Sequence, residues 1–114
     1  MEYQDGKSVE YGDIINIVTK DNNFITVEED GTTITLKGYI NNGLKQKILV
    51  CGNEKLNNKF YLTFKYSRGF FKYDDNILES GVPWTEKTIF SIELLKKAIG
   101  LDDILILKNN DKEN

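Results

Sequence analysis

The stretch from Tyr61 to Trp84 gathers the residue types best suited to specific contact. It holds Tyr61, Phe64, Tyr66, Phe70, Phe71, Tyr73 and Trp84, and the chain's only arginine, Arg68, lies among them. Aromatic side chains and arginine are enriched where binding energy concentrates in interfaces. A guanidinium also grips a carboxylate or phosphate through two parallel bonds and stacks on aromatic faces. The chemistry expected here is recognition by surface contact, and the candidate binding residues are Tyr61, Lys65, Tyr66, Arg68, Phe70, Lys72, Tyr73 and Trp84. Alternating aromatics on paired strands also build cores, so interior packing is the plainer reading of the same pattern. With Lys59, Lys65 and Lys72 interleaved, the stretch also has the make-up of a stacking platform for single-stranded nucleic acid.

Carriers of catalysis are few. The chain has no histidine, the commonest general base near neutral pH and the commonest metal ligand. A Ser-His-Asp triad, a Cys-His pair and a zinc site of the usual kind are therefore excluded. Cys51 is the one cysteine, so no internal disulfide forms, and its place in the run ILVC marks it as a small buried hydrophobe. Glu28-Glu29-Asp30, Asp74-Asp75 and Asp102-Asp103 are acidic runs. Neighbours on a strand point to opposite faces, so Glu28 and Glu29 do not share a site, and Asp74-Asp75-Asn76 lacks the spacing of a calcium loop. No glycine-rich phosphate loop is present. No catalytic residue, metal or cofactor is expected, which leaves a binding protein as the reading and an enzyme as the exception.

Bulk properties point the same way. At 114 residues the chain fits one domain, 1–114, with residues 1–10 and 108–114 expected as loose ends. A chain of this size buries roughly 65% of its unfolded surface and needs no staples. Hydrophobic residues at 39% and charged residues at 29% suit a globular protein. The net charge of −3 disfavours a broad phosphate-neutralising surface. Apolar runs are far too short to span a membrane, and the polar start MEYQDGKS has no signal-peptide pattern, so a cytoplasmic location is expected. The abundance of lysine, asparagine and isoleucine fits an AT-rich coding genome, bacterial or phage.

The elements that must position the candidate residues are mostly strands. DIINIVTK, FITVEE and TTITLKG form a meander joined by the turn Asp21-Asn22-Asn23 and by Asp30-Gly31, a two-residue type I′ hairpin signal. Gly31 should then take positive φ, and Gly31→Val should cost more than about 1 kcal/mol. Asn42-Gly43 reads as a turn, KQKILVC as a fourth strand and GNEKLNN as a loop. KFYLTFKY is the clearest strand, with Phe60, Leu62, Phe64 and Tyr66 on one face and Tyr61, Thr63 and Lys65 on the other. Ser67-Arg68-Gly69 suits a bulged hairpin into FFKY. DDNILESG reads as irregular, and Trp84 to Phe90 as a short strand or a lead-in. Ser91 caps a helix over IELLKKAI that Gly100 ends, with Ile92, Leu95 and Ile99 on one face. DILILK closes the chain as a buried strand. The fold class expected is mostly β within α+β, a small antiparallel sheet or small barrel of about six to seven strands with one short C-terminal helix.

The run YGDIINIV, the DNN turn, FITVEE, the DG turn and TTITLKG resembles the opening of an SH3-like small β-barrel, over about a third of the chain. The resemblance implies a binding module whose partner is a peptide or a nucleic acid, without identifying it. The function expected is direct protein–protein contact near Arg68 and Tyr66, as in a phage-encoded inhibitor of a bacterial defence system or a toxin-immunity protein. A nucleic-acid-binding small barrel and a small-ligand binder are the alternatives. The first would depend on Lys65, Arg68 and Lys72 and weaken with salt; the second would need an apolar pocket with converging polar groups. No membrane partner is expected, and the oligomeric state stays open.

Overall fold

The computed structural model describes residues 1–41, 43–52 and 58–109. Asn42 of the expected turn, most of the loop GNEKLNN and residues 110–114 lie outside the described residues. The chain runs through β1 (Ile14–Thr19), β2 (Phe24–Val27), β3 (Ile34–Lys37), β4 (Ile48–Cys51), β5 (Tyr61–Phe64), β6 (Phe70–Asp74) and β7 (Ile77–Val82). A 3-10 turn (Glu86–Thr88), the helix α1 (Ile92–Ile99) and β8 (Ile104–Lys108) complete it. The fold is mostly antiparallel β with one helix, as its sequence implies.

One six-stranded sheet carries the order β3-β2-β1-β4-β5, with β8 on the other edge of β1; β6 and β7 form a separate hairpin. β1 is the hub. Ile15 to Thr19 pair along β8, while its opposite edge is shared between β4 at Ile14 and Ile15 and β2 at Val18. Five of its six residues are buried, which is why its two faces both carry apolar side chains. The inward rows are Ile15 and Ile17, Ile25 and Val27, Ile48 and Val50, then Phe60, Leu62 and Phe64. Phe71, Phe90 and Leu95 of α1 close the core over them. Ser91 accepts the Leu94 N–H at 3.1 Å at the start of α1, and Gly100 ends the helix in the left-handed region at φ 82°.

The described strands do not close into a barrel. The β1–β3 meander expected from the barrel resemblance is present, but the residues just before β3 pair with β7 only through the isolated bridge Thr33↔Glu79 and the bond from Ser80 N–H to Thr32 O at 2.8 Å among the described residues.

Several local expectations need correction. The described residues form eight strands, because β7 occupies the stretch read as irregular. Asp75 and Asn76 both take positive φ, 51° and 61°, which makes the tight primed turn between β6 and β7. Gly81 and two polar residues hid the strand behind low β-propensity. The turn at Asp30-Gly31 is not a two-residue one. Gly31 donates to Glu28 O at 2.9 Å, Glu28 and Thr33 are joined, and Asp30 accepts from the Thr32 and Thr33 N–H groups and the Thr33 hydroxyl. Gly31 still has φ 75°. Ser67-Arg68-Gly69 does not join a ladder either: β5 pairs with β4, β6 with β7, and the turn hands the chain from one sheet to the next. β8 is an edge strand in which only Ile106 is buried. Residues 1–10 are not a loose end. Glu2 bridges Ser8, and Met1, Tyr3 and Val9 pack on the core. Lys108 belongs to β8, and the Asn109 N–H donates to Ile14 O at 2.9 Å.

Candidate functional site

The pleat of β5 separates the aromatics. Phe60, Leu62 and Phe64 turn into the core, so Lys59, Tyr61, Thr63 and Lys65 form the outward row. Across the ladder Cys51 lies opposite Tyr61, and Leu49 opposite Thr63. The Tyr61 ring meets Phe70 edge-on at 5.5 Å and 69°, and Trp84 edge-on at 6.3 Å and 84°. Such geometry lets the positive ring edge meet the negative face. Tyr61 and Phe70 are half-buried, whereas Trp84 is 53% exposed.

Trp84 is held by its neighbours in sequence. Pro83, the only proline, fixes the backbone before it. After it, Thr85 caps the 3-10 turn. The Thr85 side chain accepts from the Lys87 N–H at 3.2 Å, and the fully buried Thr88 accepts from the Thr85 N–H at 3.2 Å while donating to Thr85 O at 2.6 Å. An exposed indole on such a base loses little freedom on binding.

The other candidates spread out from this trio. Arg68 is exposed at the turn and makes no hydrogen bond or ion pair among the described residues. Tyr66 is 41% exposed but engaged: its hydroxyl donates to Glu29 O at 3.2 Å, and the Lys45 ammonium sits 5.0 Å above its ring. It therefore pins the turn after β5 to the β2–β3 loop and does not continue the inward row of Phe60, Leu62 and Phe64. The Lys65 N–H donates to Lys47 O at 2.8 Å, extending the β4–β5 pairing by its backbone. Lys72 reaches Glu79 at 3.9 Å. Tyr73 packs against the core, and its hydroxyl lies 3.4 Å from Asn76 Oδ1. Phe64 and Phe71 pair at 4.6 Å inside the core. The structure thus brings the rings of Tyr61, Phe70 and Trp84 together, leaves Arg68 exposed at the turn before β6 and packs Tyr73 against the core.

A second exposed apolar surface had no counterpart in the sequence reading. Leu36, Tyr39, Ile40 and Leu44 are 40–55% exposed, and the Tyr39 ring meets Phe24 at 5.3 Å, tilted by 55°. Their loop is strapped down by Gln46, buried at 1%, which donates to Gly38 O at 2.8 Å and Thr26 Oγ1 at 3.0 Å and accepts from the Ile40 N–H at 2.8 Å. The signal was available in Tyr39, Ile40 and Leu44 flanking a polar turn, where apolar residues have no strand to belong to.

A concavity of about 630 Å³ lies between residues 3–13 and β8, walled by Tyr3, Asp5, Lys7, Asp13 and Lys108 among others. It is open and charged, and none of the eight candidate residues lines it. Tyr3 donates to Asp13 at 2.7 Å there. Burial and that bond push the Tyr3 phenol well above its usual range. Burial opposes ionisation of Asp13, but the Tyr3 hydroxyl, the Glu10 N–H and the Lys108 charge outweigh it and hold the carboxyl low. Burial also pushes the Cys51 thiol up, which keeps it from the thiolate form a nucleophile needs. No cluster of three metal-ligating side chains occurs among the described residues, and none of their helices is long and apolar enough to cross a membrane.

Comparison with protein-family models, curated proteins and solved structures yields no match to this chain.

Proposed function

We propose that this is a binding protein that acts without catalysis, by seating another protein against the face built from Tyr61, Phe70 and Trp84. One observation carries the reading: a tryptophan 53% exposed, braced edge-on by Tyr61 and fixed between Pro83 and a capped turn. A solvent-facing indole gains nothing for the core, while a rigid one is well suited to anchor an interface. An inhibitor or immunity protein that covers its partner's working surface is the simplest role for such a face. The partner is captured by wild-type protein immobilised through its N-terminus and identified by mass spectrometry. Capture should be lost with Trp84→Ser and kept with Tyr39→Ser, which alters the other exposed apolar surface. Equal capture by wild type and Trp84→Ser refutes the assignment, and loss with Tyr39→Ser alone moves the contact to the loop strapped by Gln46.

A further inference from the structure

Charge is distributed unevenly along the chain. Between Lys45 and Lys72 there are seven of the 15 cationic residues and one of the 18 acidic ones, Glu54, a local balance of +6. The remaining eight cations share the chain with 17 acids, a balance of −9. The cationic segment is β4, β5 and the start of β6, the strands that carry the outward aromatic face.

Three acids on neighbouring elements are engaged, while Glu86, which lines a shallow concavity with Lys59, is exposed and forms no ion pair among the described residues. Glu79 meets Lys72 at 3.9 Å, Glu29 meets Lys45 at 3.6 Å, and Asp74 meets Lys87 at 2.6 Å. Lys59 and Arg68 are exposed and form no ion pair among the described residues. Lys59 shares the outward row of Tyr61. Arg68 precedes Phe70 by two residues and Trp84 follows Val82 by two, and Phe70 and Val82 are paired, so both leave the same end of the β6–β7 hairpin.

From this arrangement, and resting on the binding face argued above, we infer that the partner is an acidic polypeptide segment: an apolar side chain meets Trp84 and Tyr61, and flanking carboxylates meet Arg68 and Lys59. Complementary charge of this kind sets specificity and speeds encounter. A polypeptide fits better than single-stranded nucleic acid. Stacking platforms offer ring faces to successive bases, whereas these rings are packed edge to face at 69° and 84°, and two of the three are half-buried. A long polyanion would also meet the acidic remainder of the chain.

Trp84 is the only tryptophan, so its emission reports on the face directly. The probes are a glutamate-rich peptide carrying one phenylalanine, its glutamine counterpart, and an oligothymidylate of matched charge. The glutamate peptide should shift Trp84 emission and bind at least about tenfold more tightly than the glutamine peptide. Arg68→Gln or Lys59→Gln should each weaken it several-fold, and raising NaCl from about 0.05 to about 0.5 M should weaken it about tenfold or more. Equal binding of the two peptides removes the acidic preference and leaves the aromatic face standing. No response to either peptide overturns the inference, while the capture experiment judges the face on its own. Tighter binding of the oligothymidylate overturns it in favour of a nucleic-acid interface.

Discussion

Three glycines, two from turns and one from inside β7, meet where the two sheets join, and the fold depends on their lacking side chains. Gly31, Gly69 and Gly81 have φ of 75°, 96° and 77°. A Cβ on Gly69 would lie 2.6 Å from the Gly81 carbonyl carbon and 2.8 Å from the Val82 nitrogen, and one on Gly81 would lie 2.8 Å from Gly31 O. These neighbours are backbone, so relief requires the β6–β7 hairpin to move as a body. For Gly69→Ala, the left-handed conformation costs about 1–2 kcal/mol and the overpacking about 1–3 kcal/mol more, or about 2–5 kcal/mol together. Gly12→Ala is the control: its φ is 95°, but a Cβ there meets nothing within 4 Å, so only the conformational part applies. Denaturant unfolding of the two variants should separate them by about 1–3 kcal/mol, and Gly69→Ala should melt roughly 8–20 °C below wild type. Two variants within about 0.5 kcal/mol of each other would show that the glycine junction is not tight and that the hairpin is held some other way. Gly31→Val tests the same junction from its third side. Ser67 Oγ is 3.6 Å from the added Cβ, ordinary contact, so the cost is the backbone strain expected from the sequence, more than about 1 kcal/mol.

Other outcomes follow from single side chains. Gln46→Leu leaves the Ile40 N–H and Gly38 carbonyl without their partner, and urea unfolding should show a loss of about 2 kcal/mol. Tyr3 and Asp13 make stability depend on pH at both extremes. The raised Tyr3 phenol favours the protonated fold, so its contribution is whole below about pH 10 and fades as the pH climbs beyond. The lowered Asp13 carboxyl contributes above the ordinary carboxylate pKa of about 3.8 and loses its contribution as the pH falls through its folded value. Tyr3→Phe should cost about 1 kcal/mol at neutral pH and flatten the alkaline decline in a series of urea melts; an unchanged decline would place its cause in another group.

Strands with strict alternation were legible because one face had to be buried. KFYLTFKY divides as its pattern demands up to Phe64, and α1 was marked by both its caps. β7 was not, since a strand rich in polar residues with a glycine inside is defined by its partner, and only Asp75-Asn76 announced the turn. The β5-to-β6 connection misled for a related reason. Gly69 looks like a hairpin glycine, but its φ serves the approach to Gly81, a contact between residues 12 apart that local spacing does not reveal. The chain order placed Tyr61, Phe70 and Trp84 in one stretch and their rings do meet, yet it also swept in Tyr73, which packs on the core. The bulge between Phe70 and Lys72 shifts the register of β6, so which aromatics face out there is decided by pairing with β7. Nothing local marked residues 1–10 as ordered; the Tyr3 to Asp13 bond and the bridge from Glu2 to Ser8 do that in three dimensions.

The two demands on this chain fall on different residues. Stability concentrates in β1, the inward rows of β4 and β5 and the glycine junction. Trp84 stands outside that set: it is half in solvent, and its ring meets Tyr61 at a near-right angle. Replacing it by serine removes one edge-to-face pair, worth about 0.5–1.5 kcal/mol, and leaves no core cavity. Thr88, by contrast, is fully buried and holds the turn that presents the indole. Thr88→Val should therefore keep the indole on the chain but loosen its base, reducing binding through lost preorganisation rather than lost contact. If Trp84→Ser and Thr88→Val weaken binding in proportion to their loss of stability alone, the face is only part of the scaffold. If Trp84→Ser removes binding at small cost to stability, the exposed indole is there for a partner.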